Sequence, residues 1–473
     1  MSQVQARAVQ ELIRIAPVID ELGARFADAG EQIALVGGPV RDAMLGRLQN
    51  DLDFTTSARP EVTERLVKGW ADAVWDIGRE FGTIGCRRGP WQIEITTYRS
   101  ERYDPDSRKP SVDYGDSLAG DLGRRDFTVN AMAIALPGEL LEDPYGGIVD
   151  LAHQVLRTPG RPEDSFGDDP LRMMRAARFA AQLGFTVAPE VRQAMTDMAE
   201  RIAIVSAERV RDELVKLVSS PRPRAGLALL VETGLAAHVL PELPALALER
   251  DEHHRHKDVY EHTLTVLEQT IDLEHRLPEG GPDFRARFAA LMHDVGKPRT
   301  RRFQPDGTVT FHHHDVVGAK ITRKRMQALR FSSEETTAVA QLVELHLRFH
   351  GYGEGQWTDS AVRRYVRDAG ELLPWLHVLT RADCTTRNRR KADRLRRSYD
   401  DLENRIARLS EQEELAAIRP DLDGNQIMEI LGIPAGPQVG AAYRHLLELR
   451  LDHGPMSFDQ ARDALLEWAG REG

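Results

Sequence analysis

The chain has 473 residues, 41% of them hydrophobic and 29% charged, with a formal net charge of −11 and only two cysteines, Cys86 and Cys384. That length supplies several buried cores, and the lack of any apolar run of about 18 residues excludes a membrane-spanning helix. Two isolated cysteines exclude a disulfide framework, and the negative charge excludes a protein that coats nucleic acid indiscriminately, though a local basic groove is enough for one that acts on it.

Residues 1–20 predict an amphipathic helix without the basic start, apolar middle and small-residue cleavage site of a signal peptide. With the cysteine usage, this gives the expectation of a cytoplasmic protein with no membrane contact. Residues 33–38 (IALVGG) read as a short buried strand ending in glycines, 39–48 as a helix and 51–55 as a second strand. Further strands are expected at 83–86, 92–98 and 132–136, and the alternating region ends near residue 150. From residue 170 the pattern is helical, with three- and four-residue apolar spacing over 171–183 and 207–217 and proline-containing breaks at 220–224 and 277–282. A histidine-rich helical region occupies 253–383, a charge-dense basic helix 387–409, and a smaller helical tail 416–468. The expected fold class is α+β: an N-terminal mixed α/β head followed by a long all-α neck and body.

Two features of the head point to phosphate chemistry. Asp51 and Asp53 alternate on one strand and so share a face. Adjacent carboxylates repel, and a divalent cation relieves them; Mg²⁺ takes hard oxygen ligands and shares them with substrate phosphates. Gly37 and Gly38 let the backbone approach a triphosphate, the helix start after them offers free N–H groups, and Arg41 can add a charged contact. A Gly-Gly turn or an Asp-x-Asp strand alone is commonplace; together on one strand–helix–strand unit they are far more specific.

The segment LVGGPVRDAMLGRLQNDLDF closely resembles the signature of class II tRNA nucleotidyltransferases, a branch of the polymerase-β-like superfamily. The resemblance continues in order: RRDFTVNAM at 124–132 is similar to the ribose-sensing motif, DPYGG at 143–147 through Asp150 and Leu151 to the hinge motif, and DDPLR at 168–172 to the base-reading motif, with Asp168 where the family has Glu. ERVRDEL at 208–214 is similar to the last helical motif, so the match spans residues 33–220. It implies Asp51 and Asp53 as catalytic metal ligands for Mg²⁺; Glu94, in QIEITTYR, reads either as a third acid beside them or as a structural strand residue next to an Arg-rich loop. It implies nucleotide contacts by Gly37, Gly38, Arg41, Arg125, Asp126, Asn130, Asp169, Arg172, Arg175 and Arg178, with Asp126 at the sugar hydroxyl. The polar loop 98–114, with Arg99, Arg102, Arg108 and Lys109, resembles the family's flexible loop. On the residues themselves, Asp169 and Arg172 sit three apart and are expected on one helix face, where a carboxylate accepting from a base amino group and a guanidinium donating beside it would suit C and A but not G and U. The partners implied are tRNA, ATP and CTP.

A second constellation follows: His262, then His293-Asp294, His314, His346 and Asp383. This order resembles the HD phosphohydrolase superfamily over roughly 255–385, with His314 and His346 similar to the extra ligands of binuclear members. The resemblance implies one or two divalent ions, with imidazole and carboxylate suiting Mn, Ni, Co, Fe or Zn, or Mg²⁺, and water activated against a phosphoester. His312 and His313 read as ordinary solvated or packed histidines.

Arg387, Arg389, Arg390, Lys391, Arg394, Arg396 and Arg397 offer a phosphate-binding stripe, or equally a solvated helix face balanced by Asp400, Asp401 and Glu403. The expected division is a catalytic head at 1–150, a base-reading neck at 151–250, an HD domain at 251–400 and a helical tail at 401–473. The expected activity is template-independent addition or repair of the tRNA CCA end. The alternatives are a poly(A) polymerase, an A-only or CC-only enzyme, or an HD phosphohydrolase with a degenerate RNA-binding head. Against the poly(A) enzymes, REFGTIG at 79–85 lacks their usual basic pair before phenylalanine.

Overall fold

The computed structural model describes residues 3–76, 78–102, 111–115, 117–138, 140–248, 259–306, 309–349, 357–384, 389–413 and 418–472. The chain forms two compact units, Met1–Pro241 and Glu242–Gly473.

The first unit opens with the helix Gln3–Asp28, which buries Ile15, Val18, Ile19, Leu22 and Phe26, one stripe at helical spacing. That stripe packs on a seven-stranded mixed sheet. The strands are β1 (Ile33–Val36), β2 (Asp51–Thr56), β3 (Ala73–Trp75), β4 (Thr83–Arg88), β5 (Trp91–Thr97), β8 (Ala133–Leu136) and β9 (Leu140–Glu142), while β6 (Arg99–Arg102) and β7 (Ser111–Tyr114) form a separate antiparallel pair. The sheet order is β3-β4-β5-β2-β1-β8-β9, and only β2 and β5 run parallel. In β2 the alternation is visible as burial: Leu52 and Phe54 enter the core while Asp51 and Asp53 stay on the open face. The expected strands all form, and β3 and β9 are additions, each three residues long and largely exposed, too short to show a period.

The helical part of this unit centres on Leu171–Leu183, packed between the helices Ala207–Val218 and Pro223–Glu232. A two-residue parallel pair, β10 (Val155–Leu156) and β11 (Thr186–Val187), braces it.

The second unit gathers the helices Val259–Leu273, Phe284–Met292, His314–Ala328, Ser333–Leu345 and Leu373–Ala382. A capping box at Ser332 and Glu335 fixes the start of one of them. The expected all-α body also contains a small antiparallel hairpin, β12 (Arg302–Phe303) with β13 (Val309–Thr310). The helix Arg389–Glu413 is fastened by Arg381, which donates to Asp400 and Glu403 at 2.7 and 2.9 Å, and by the Tyr399 hydroxyl on the Thr380 carbonyl. The tail helices Gly424–Leu431, Pro437–His453 and Phe458–Glu472 share their own apolar cluster. Residues 103–110 and 385–388, with Arg108, Lys109 and Arg387, lie outside the described residues. Among the described residues no helix is long and apolar enough to cross a membrane.

Candidate active site and candidate metal centre

The open face of β2 presents Asp51 and Asp53, and the parallel register of β5 sets Glu94 directly beside Asp53. Asp53 is reached by solvent yet crowded by protein. That crowding first, then the neighbouring charges of Glu94 and Asp51, pushes its carboxyl up to about 6 against the pull of Arg125 and Arg41. Three acids crowded so that one of them resists ionising fit a site for a divalent cation.

Gly37 sits at the helix Gly38–Met44 with φ +71°, and a β-carbon there would lie 2.8 Å from Arg125 Nη1. The positive φ favours glycine there, and the absence of a side chain leaves room for the guanidinium lying over it. Arg125 is held from behind by Asp121, which is 1% exposed and also takes Arg124. Arg41 does not project freely from the helix start. It is buried, donates to Asn130 Oδ1 at 2.6 Å and to Asp42 at 2.9 Å, and lies 5.3 Å from the centre of the Phe179 ring.

Asn130 also donates to Asp126 Oδ1 at 2.9 Å, while Arg175 Nε donates to Asp126 Oδ2 at 2.7 Å. Burial alone would raise the Asp126 carboxyl, but Arg175 and Asn130 hold it well below the usual carboxylate range. Arg178 Nε donates to Glu213 Oε2 at 2.6 Å, and its guanidinium stacks 4.0 Å over Phe179. Arg41, Asn130, Asp126, Arg175, Phe179, Arg178 and Glu213 thus form one chain of charge-assisted contacts, buried except at the half-buried Arg175, linking the sheet to the helices.

Asp169 and Arg172 do not share a helix face. Pro170 disfavours helical geometry in the residue before it, and Asp169 is extended (φ −143°, ψ 101°), ahead of the helix Leu171–Leu183. Its Oδ1 accepts the Leu171 N–H at 3.1 Å, and Arg209 Nη2 donates to Oδ2 at 2.7 Å. Arg172 is held separately, donating to Ser165 Oγ at 2.9 Å and to the Arg124 carbonyl at 2.5 Å. Arg209 and Glu213 were visible in the sequence only as members of a motif; their partners stand 40 and 35 residues away.

In the second unit all six expected residues converge. His262 Nε2 lies 3.0 Å from Asp383 Oδ1, His293 Nε2 3.3 Å from Asp294 Oδ2 and His314 Nε2 3.2 Å from Asp294 Oδ1. They fall into two groups with ligand atoms within 4.8 Å of one another: His262, His293 and Asp383, and Asp294, His314 and His346. Three rings are aimed by a backbone carbonyl three residues earlier, which accepts from Nδ1: Ala290 for His293, Phe311 for His314 and Val343 for His346, at 2.7, 2.8 and 2.6 Å. Each Nε2 is thereby turned inward, toward the other members of the cluster. His346 Nε2 is buried with no hydrogen-bond partner, and burial, then His293, pushes this imidazole down to about 4. A buried, neutral, unpartnered ring nitrogen fits a metal ligand. Gly296 allows the assembly: a β-carbon there would lie 2.0 Å from the His314 carbonyl oxygen. His312 and His313 are exposed.

Comparison with known proteins matches three segments of the chain to family models. The Poly A polymerase head domain matches residues 33–157, the probable RNA and SrmB- binding site of polymerase A matches 184–246, and the HD domain matches 259–409. The chain is 35% identical over 446 residues to the A-adding tRNA nucleotidyltransferase of Deinococcus radiodurans, covering 92% of this chain and 95% of that one. It is 33% identical over 443 residues to the CC-adding tRNA nucleotidyltransferase of Thermus thermophilus, covering 92% and 93%. The crystal structure of the Bacillus stearothermophilus CCA-adding enzyme in complex with CTP superposes with a TM-score of 0.68 at 25% identity, covering 100% of this chain and 99% of that one.

Proposed function

The chain belongs to the tRNA nucleotidyltransferase family, enzymes that add nucleotides to the tRNA 3′ end, and we propose that it builds or repairs the whole CCA terminus from CTP and ATP. The observation that carries this is the carboxylate trio Asp51, Asp53 and Glu94 on one sheet face, with Gly37 and Arg125 above the neighbouring strand's end. Asp51 and Asp53 would hold Mg²⁺, which when bound neutralises the triphosphate and acidifies the attacking 3′-hydroxyl. Arg125 takes a phosphate and Gly37-Gly38 the close approach of the triphosphate. Asp126, kept ionised, accepts from the ribose hydroxyl. Asp169 accepts the amino group of C or A, and Arg172 donates to the adjacent ring atom. Arg41, Asn130, Arg175 and Arg178 support these groups from beneath. In this reading residues 1–150 supply the catalytic head, 151–250 the base-reading neck, 251–400 a metal-dependent phosphohydrolase and 401–473 a helical tail.

The second unit's six ligands suit one or two divalent transition ions (Mn, Ni, Co, Fe or Zn) or Mg²⁺, which would supply activated water. Its proposed substrate is a phosphorylated RNA 3′ end, cleared before addition.

A second reading, addition of A alone or CC alone, is favoured by the full-length relatives, which divide the work in that way. One assay decides: tRNA lacking its terminus is given CTP, ATP or both, and the products are sequenced. The expected result is CC with CTP and CCA with both. No product with CTP alone leaves an A-adding enzyme, arrest at CC with both nucleotides a CC-adding one, and a long adenosine tract a poly(A) polymerase.

A further inference from the structure

The segment between two of the metal-centre residues, Asp294 and His314, is more than a connector. It carries the β12–β13 hairpin, closed by Gln304 Nε2 donating to Thr310 Oγ1 at 3.2 Å. Both ends of the segment are tied to the metal cluster. Before it, Lys297 Nζ donates to Asp294 Oδ2 at 2.6 Å and lies 5.7 Å from the centre of the Phe311 ring. After it, the Phe311 carbonyl accepts from His314 Nδ1 at 2.8 Å. On β12, Phe303 is 62% exposed, and the Arg301 guanidinium covers one face of its ring at 4.6 Å. Arg299, Arg302, His312 and His313, in the same segment, are also exposed. A single surface phenylalanine is ordinary. This one is backed by a cation and lies in a segment tied at both ends to the candidate metal centre.

We propose that Phe303 and Arg301 form a stacking platform for the base of a nucleotide whose phosphoester enters the metal cluster, so that the cluster prefers nucleic-acid ends to base-free phosphoesters. Bases stack on any flat π-face, and a cation behind the ring polarises it. The proposal rests on the phosphohydrolase reading of the cluster. In hydrolysis of a cyclic phosphate, the water oxygen bonds to phosphorus, one P–O(ribose) bond breaks, and the departing oxygen takes up the proton that the water loses.

Two measurements test it on the full chain. With a chelator present, the fluorescence that Phe303→Trp adds over the parent protein is titrated with adenosine 2′,3′-cyclic phosphate and with ethylene phosphate, a base-free cyclic phosphodiester. Saturable quenching by the nucleotide alone is expected. Absence of quenching, or equal quenching by both, overturns the platform whatever the cluster's activity. With Mn²⁺ added, Phe303→Ala is expected to raise KM for the nucleotide about tenfold with kcat unchanged, to leave ethylene phosphate turnover unchanged, and to be rescued by Phe303→Trp. Equal losses on both substrates overturn the proposal. A wild type inert on both with every divalent ion sinks the phosphohydrolase reading, and the quenching result then stands alone for or against the platform.

Discussion

Asp53 is where charge and solvation conflict most openly. Its carboxyl is raised from 3.8 to about 6, so in the metal-free protein its contribution to stability is full below the unfolded value and is lost as pH rises through about 6. A cation on the acidic face cancels that loss only when the group is ionised. The upward shift of thermal unfolding on adding Mg²⁺ is therefore expected to be larger at pH 7.5 than at pH 5, and Asp53→Asn should remove the difference along with nucleotide addition. A calorimetric scan at both pH values, with Mg²⁺ or chelator, checks it; an equal shift at both would show that the carboxyl is not the titrating group. Arg209 makes a different kind of prediction. It fixes the Asp169 carboxylate from 40 residues away and touches no expected substrate atom. Arg209→Ala is expected to lower kcat/KM for CTP about tenfold and to raise UTP and GTP incorporation relative to CTP and ATP, as Asp169→Ala or Arg172→Ala would, with partial rescue by Arg209→Lys. Single-nucleotide incorporation assays read this, and unchanged selectivity would reduce Arg209 to a helix-surface pair.

Among the elements, the loop-to-helix joint after the His293-Asp294 pair is tightly packed. A methyl at Gly296 meets backbone on both sides, the His314 carbonyl oxygen at 2.0 Å and the Gly318 nitrogen at 2.7 Å. Neither can move without shifting the helix His314–Ala328. Gly296→Ala is expected to destabilise the second unit by about 1–3 kcal/mol and to weaken Mn²⁺ binding, while nucleotide addition persists. Titration calorimetry with Mn²⁺, beside an addition assay, tests it, and wild-type metal affinity would contradict the close approach. Elements of strong period were legible in the sequence: β2 alternates from Asp51 to Phe54, and the helix Leu171–Leu183 has the expected bounds. All three acids were named from the sequence, but the placement of Glu94 rests on a parallel register with Asp53 across 41 residues, which spacing alone does not give. The Asp169–Arg172 spacing suggested a helix face, and Pro170 overrode it. The six ligands were readable as an ordered set; their division into two groups of three depends on which helices pack together.

At the scale of the molecule, every residue assigned to nucleotide addition falls in Met1–Pro241 and every metal-centre ligand in Glu242–Gly473. Remote, independent sites behave additively. Asp294→Ala is therefore expected to abolish any phosphohydrolase activity and to preserve CCA addition on intact tRNA, and loss of addition in a folded variant would show that the units are coupled. The backbone-held imidazoles carry a consequence of their own. His293, His314 and His346 each take their aim from a carbonyl three residues earlier, within the same stretch of chain. The ordering entropy of these rings is spent when the helices form, not when an ion arrives. The centre is thus a rigid mould rather than a clasp, and exchanging one divalent ion for another of similar radius should leave the amide spectrum of these segments almost unchanged. A mould of this sort takes whichever ion the cell keeps most available, so the identity of its metal becomes a property of supply as much as of the protein.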